Sequence, residues 1–166
     1  MKTLLVATMF AATATVALAQ ETVTVGFVDK AGKDNGTAEL TATPAGVLME
    51  LEVSGLPANQ WVAFHVHATG SCDHASGHES AGGHFNPTDK KHGYLSEGGP
   101  HAGDMPNQYV GADGILRAQV FNPNVELNRE KTGILGRALM IHAKPDDYQS
   151  QPSGDAGERL ACGAIE

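Results

Sequence analysis

Residues 68 to about 109 form the segment that any fold for this chain must accommodate. About forty residues run without hydrophobic period, rich in Gly, Ser, His and Asp, and a structureless loop of that length is unusual inside a compact domain. Such a segment is either disordered or held by something other than packing. Composition alone favours disorder. The histidines argue for a staple. Seven of the chain's 8 histidines fall between His65 and His101: His65, His67, His74, His78, His84, His92 and His101. The last is His142.

Two of these lie in a strand pattern, Phe64-His65-Val66-His67. In a strand, residues i and i+2 point to the same side. Phe64 and Val66 can therefore face a core while both imidazoles share the opposite face. Leu139 and Ile141 alternate in the same way, which turns His142 outward. Three imidazoles on rigid strands make a half-site that the long loop can fold back to complete. Imidazole suits copper and zinc. Asp104, three residues after His101, adds a carboxylate oxygen that zinc accepts. A lone histidine in a loop is usually solvated; the concentration of so many changes that reading. Spacing by itself stops at a histidine-rich zinc or copper site.

The rest reads as β-structure. Val23, Val25 and Phe27 share one face of a strand, as do Val47, Met49, Leu51 and Val53. Residues 61–67 continue the period of two, as do Leu116, Ala118 and Val120. Residues 159–165 form a last strand. No segment has a helical period. Short strands separated by Gly, Pro and Asn turns mean an antiparallel sandwich or barrel.

The chain opens M-K-T, continues with an apolar run and reaches A-L-A before Gln20. This pattern predicts a secretory signal peptide over residues 1–19, cleaved after Ala19. A membrane anchor is the alternative, disfavoured because the apolar run is mediocre and polar sequence follows at once. No later segment is apolar for long enough to span a bilayer. Residues 20–166 suit one domain with one core. Residues 1–19 hold one Lys and no acid, so their removal takes the formal net charge from −8 to −9. That charge argues against nucleic acid or an anionic membrane as a partner. Two cysteines in an exported chain, Cys72 and Cys162, predict a disulfide, the alternative being two free buried thiols. Asn35-Gly36-Thr37 is a glycosylation sequon, relevant only in a eukaryotic secretory pathway.

With these residues in view, the order of motifs resembles the copper,zinc superoxide dismutases, in their exported bacterial type. The segments F-H-V-H-A-T-G-S-C-D, S-A-G-G-H-F-N-P, K-K-H-G, G-P-H-A-G-D-M-P-N, I-L-G-R-A-L-M-I-H-A-K-P-D-D and E-R-L-A-C-G-A-I run in family order. H-x-H alone is weak; the whole set in order is very specific. The resemblance implies a flattened eight-stranded antiparallel Greek-key barrel or sandwich with a long metal-stapled loop. It implies copper at His65, His67, His84 and His142, and zinc at His84, His92, His101 and Asp104. His84 would bridge the two metals. Asp146 would link His65 to His92, fixing tautomer and ring orientation. Cys72 and Cys162 match the family disulfide, and Arg159 the arginine beside the copper. The implied reaction is dismutation of superoxide to dioxygen and hydrogen peroxide through a copper redox cycle, with His84 and Arg159 as the catalytic residues. It would protect against superoxide outside the cytoplasm, in the periplasm or after secretion. A homodimer is favoured over a monomer.

Some features stand outside the resemblance. His74 and His78 match no ligand position; the expectation is two solvated histidines, with accessory copper capture as the minority reading. Residues 148–157 are short where eukaryotic relatives carry a longer charged loop, so their substrate-guiding lysine and glutamates do not carry over. Trp61 is expected in ordinary core or surface packing, with a subunit contact as the alternative. Rival functions are metal storage on the same fold, a three-imidazole zinc hydrolase and a non-catalytic adhesion sandwich.

Overall fold

The computed structural model describes residues 20–166, and the expected signal peptide over residues 1–19 lies outside the described residues. The described residues contain no α-helix. They form nine strands: β1 (Thr22–Asp29), β2 (Asp34–Thr43), β3 (Gly46–Val53), β4 (Gln60–Val62), β5 (Phe64–His67), β6 (Gln108–Val110), β7 (Leu116–Asn122), β8 (Ala138–His142) and β9 (Arg159–Ala164). All pair antiparallel, in the order β4-β6-β7-β3-β2-β1-β9-β8-β5.

The two ends of that order are consecutive in the chain. Ala63 alone separates β4 from β5. Its N–H donates to the Lys144 carbonyl at 2.9 Å, and its own carbonyl accepts from the His142 N–H at 3.0 Å. One bent run therefore pairs with β6 on one side and β8 on the other, nearly closing the barrel. This also accounts for nine strands where the family resemblance implies eight: β4 and β5 are the two halves of the one strand expected over residues 61–67. Closure matters because an open sheet leaves unpaired edges.

The period of two read from the sequence sorts the side chains. Val25, Phe27, Leu40, Met49, Val53, Leu116, Leu139 and Ile141 fill the barrel interior. Each such side chain contributes about 1.5–3 kcal/mol of burial. The alternate residues of β8 face the other way. Met140 and Ala138 join Ala81 and Cys162 in a smaller cluster outside the barrel, against Cys72. β5 is buried on both faces.

The long loop supplies the outer cover. Its residues run beside β5 by backbone bonds: Phe85 N–H donates to the Val66 carbonyl at 2.8 Å, and Val66 N–H to the Gly103 carbonyl at 2.9 Å. Isolated bridges join His67 to His84 and His65 to Asp104. Gly103 permits this approach, since a Cβ there would lie 2.4 Å from the Val66 carbonyl oxygen. The loop otherwise contains two short 3-10 turns, His74–Ser76 and Glu79–Ala81. The Cys72–Cys162 disulfide ties this loop to β9.

One expectation is corrected here. His74 is at the surface as expected, but His78 is fully buried. It sits between the two 3-10 turns with left-handed backbone at φ 64°. That turn directs its ring toward the backbone of Cys72 and Asp29. Burial lowers its pKa from the ordinary value, favouring the neutral ring. Trp61 is a surface residue, packed edge-on against Tyr109 across the β4–β6 pair with centroids 5.3 Å apart.

Candidate metal centre

Two clusters of ligand-type side chains lie between β5, β8 and the long loop. His65, His67, His84 and His142 form one, and His84, His92, His101 and Asp104 the other. Within each, the potential ligand atoms all lie within 4.8 Å of one another. His84 belongs to both. Its Nδ1 lies 2.9 Å from Asp104 Oδ1, in the second cluster. Its Nε2 is buried without a hydrogen-bond partner. His65 and His84 lie tilted against one another with ring centroids 4.0 Å apart, and His84 and His92 meet edge-on with centroids 5.0 Å apart.

The first cluster is carried by strands. His65 Nε2 is tied to Asp146 Oδ2 at 2.8 Å, leaving its Nδ1 buried and unpartnered. His67 Nδ1 donates to the Gly82 carbonyl at 2.8 Å, and its Nε2 lies 3.2 Å from His142 Nε2. His142 reaches this position through a bulge. In the β8–β9 pairing Ile141 faces Ala161 but His142 faces Arg159, so the register shifts by one residue. Bulges re-aim side chains in this way. This one also brings Arg159 to the site.

The second cluster is organised by one carboxylate. Asp104 Oδ1 lies 2.9 Å from His84 Nδ1, 3.0 Å from His92 Nδ1 and 3.4 Å from His101 Nδ1. Its Oδ2 accepts from the N–H of Gly93 at 2.8 Å and of His101 at 3.0 Å. A tetrahedral zinc with bonds of about 2.0–2.1 Å has ligand-to-ligand edges of about 3.3 Å. The separations around Asp104 Oδ1 fit such an ion. Buried nitrogens left without partners point to an ion in each cluster, His101 Nδ1 in this one and His65 Nδ1 and His84 Nε2 in the first. Buried polar atoms of this kind otherwise cost about 1–3 kcal/mol each.

Asp146 joins the clusters from outside. Its Oδ1 lies 3.0 Å from His92 Nε2 while its Oδ2 holds His65. The Asn107 side chain bonds both its backbone N–H and its carbonyl. Gly154 leaves it room, since a Cβ there would fall 1.8 Å from Asp146 Oδ1.

The protonation states follow from burial and these carboxylates. Burial, with the neighbouring histidines, lowers His67 to about 2, His142 to about 3 and His84 to about 4, so all three are neutral near pH 7. Burial also works against charge on His92, but bonds to Asp104 and Asp146 outweigh it and raise its pKa to about 9. Burial opposes ionisation of both carboxyls. The close approach of His101 and the bonds from His84 and His92 nonetheless hold Asp104 far below the usual range, and bonds from His65 and His92 do the same for Asp146. Neutral imidazoles and ionised carboxylates are the forms that bind metal, so a metal bound through His92 would displace its proton.

A solvent-open cavity of about 510 Å³ leads to His67, His84 and His142 and is lined by Glu79 and Arg159. Arg159 donates from Nη1 to the His78 carbonyl at 2.7 Å and from Nη2 to the Gly82 carbonyl at 2.8 Å. Asn107, the Gly82 carbonyl, Gly154 and Glu79 were not legible as site residues. Only the glycine-rich turn around Gly154 carried a local signal, and backbone acceptors carry none.

The copper/zinc superoxide dismutase family model matches residues 34–165. The chain is 49% identical over 154 residues to superoxide dismutase [Cu-Zn] 1 of Aquifex aeolicus, covering 90% of each chain. Among solved structures, a SOD-like protein from Bacillus subtilis matches with a TM-score of 0.83 at 37% identity, covering 89% of this chain and 100% of that one. Cu/Zn superoxide dismutase from Brucella abortus matches with a TM-score of 0.72 at 30% identity, covering 88% of this chain and 100% of that one. With the barrel and both clusters in place, this chain belongs to the copper/zinc superoxide dismutase family.

Proposed function

We propose that the protein dismutates superoxide, with copper held by His65, His67, His84 and His142 and zinc by His84, His92, His101 and Asp104. The observation that carries this reading is His84, which presents one ring nitrogen to each cluster. A storage site has no need of a shared imidazole, and a zinc hydrolase has no need of a second cluster. Copper, when bound, supplies the one-electron chemistry that zinc lacks, so that two superoxide ions and two protons become dioxygen and hydrogen peroxide.

The chain's own residues have separate tasks. Arg159 presents a permanent positive charge to a small anion in the cavity, held in place by the two carbonyls. His84 Nε2 accepts a proton and delivers it to the reduced substrate, while Nδ1 stays anchored beside Asp104. Asp146 fixes the tautomers of His65 and His92, leaving His65 Nδ1 and His92 Nδ1 free to ligate. The His84 ring is kept in place by its own segment, because Gly83 and Phe85 on either side of it bond the backbone at and just after β5.

The reading includes export, with residues 1–19 removed and the work done outside the cytoplasm as a homodimer. The M-K-T start, apolar run and A-L-A ending support the export part. Among the described residues no helix is long and apolar enough to cross a membrane. Metal analysis together with a superoxide assay, run with and without copper, tests the chemistry. Bound copper and zinc without turnover would sink the dismutase reading. N-terminal sequencing of the protein from its native compartment tests the cleavage, and sedimentation tests the dimer.

A further inference from the structure

Arg159 is the one Lys or Arg among the described residues lining the cavity, and two carboxylates share its wall, Glu79 and Glu158. Glu158 has its own counter-charge, Lys30 Nζ at 2.7 Å. Among the described residues Glu79 has none except Arg159 itself, with Oε2 lying 3.3 Å from the guanidinium Nη2. The guanidinium does not depend on this contact for its position, since both terminal nitrogens already donate to the His78 and Gly82 carbonyls. The Arg159 side chain is 14% exposed and that of Glu79 71%. An ion pair with one partner so exposed adds little stability. Its charge still stands at the mouth through which an anion must pass.

We propose that Glu79 is a specificity-determining residue, a fixed negative charge that restrains the pull of Arg159 and discriminates against anions of higher charge. At separations of about 5–8 Å in water, a unit charge changes the local concentration of a univalent anion by about two- to fourfold. The work scales with the charge of the incoming ion, so the factor for a divalent anion is the square, about four- to sixteenfold. A cavity with Arg159 alone would favour sulfate- or phosphate-like ions over a small univalent substrate. Glu79 removes much of that advantage while the locked guanidinium remains able to bond the anion. Charges at the rim of a site act chiefly on association rates and salt dependence.

The test uses copper- and zinc-loaded protein, parent against Glu79→Gln, with Glu39→Gln as a control. Glu39 lies on β2, exposed on the sheet's outer face away from the cavity, so this control makes the same change in net charge. Azide is titrated and followed by the copper visible spectrum; sulfate is measured by its competition with azide. Glu79→Gln is expected to bind azide about two- to fourfold more tightly at low salt and sulfate about four- to sixteenfold more tightly. Both gains should shrink as salt shortens the Debye length to about 3 Å at 1 M. Melting temperature should be unchanged. Equal affinities in parent and variant would overturn the proposal. So would the same gain for both ions, a gain that survives high salt, or the same gain in Glu39→Gln. Weaker azide binding with a lower melting temperature would make Glu79 a support for Arg159 instead, and would also overturn it. The consequence for turnover rests on the superoxide reading, but the titrations need only bound copper. A centre that binds both ions as expected yet fails to dismutate would sink the function and leave the role of Glu79 standing.

Discussion

Replacing Asp104 by Ala should cost the protein both zinc and a large share of its thermal stability. The magnitude comes from what the carboxylate holds. Its side chain is 1% exposed and takes contacts from three imidazoles at 2.9, 3.0 and 3.4 Å. It also accepts from two backbone N–H groups, those of Gly93 and His101. Without it, two buried donors lose their acceptor at about 1–3 kcal/mol each. The raised His92 loses one of its two counter-charges, and breaking a buried ionic contact costs about 3–5 kcal/mol. These overlap, so a loss of about 3–5 kcal/mol is expected in chelator. At about 2–4 °C per kcal/mol for a domain of this size, the melting temperature should fall by about 6–20 °C. With zinc present the gap should widen, because the parent also gains stability by binding the ion to its native state. Asp104→Asn separates the two effects. It keeps an oxygen for the two N–H donors and should recover much of the loss in chelator without recovering zinc. Thermal unfolding with chelator and with stoichiometric zinc, plus elemental analysis, decides the matter. A variant Asp104→Ala that melts within about 2 °C of the parent in both conditions and keeps its zinc would refute the reasoning.

Four further outcomes are expected. His142→Ala should lose copper and dismutation while keeping zinc, because His142 belongs to one cluster only; full activity with parental copper content would remove it from the copper set. Reducing the Cys72–Cys162 bridge, which spans 90 residues, should cost about 4–5 kcal/mol in the chain-entropy picture, and denaturant titration with and without reductant measures it. The metal-free protein should be most stable near pH 7, where the four unfolded histidines together hold about one proton, as folded His92 does. Below that, the unfolded chain takes up protons that buried His67, His84 and His142 refuse, their folded values being about 2, 4 and 3; above it, His92, raised to about 9, progressively loses its stabilising proton. Chelated protein whose stability is flat or rising from pH 7 to 5 would contradict this. Finally, copper-loaded Arg159→Lys, Arg159→Ile and Arg159→Glu should fall in activity in that order, with the parent rate dropping as salt rises; equal rates in all three would leave Arg159 only its bonds to the His78 and Gly82 carbonyls.

The strand architecture and the kinds of residue at the centre were legible in the sequence because both are local signals. A period of two is visible wherever one face of a strand is buried, as in Val47, Met49, Leu51 and Val53. The pair His65 and His67 on one face needs nothing beyond strand geometry. What the chain order could not contain is how segments distant in sequence meet. The join at Ala63, which turns one predicted strand into β4 and β5, depends on Lys144 and His142 lying beside it. The burial of His78 follows from two turns folding it against Asp29 and Cys72, although its neighbours in sequence read as solvated loop. The one-residue shift between β8 and β9 sets Arg159 opposite His142, and the 3.3 Å approach of Glu79 to Arg159 joins residues far apart in the sequence. Which ring nitrogen of His84 faces which cluster was likewise decided only by Asp104 Oδ1 arriving on one side of the ring. Hydrophobic periodicity and ligand type are properties of a few neighbouring residues, whereas orientation, burial and charge balance at the centre arise from contacts spanning twenty to eighty residues, and only the folded barrel brings those into range.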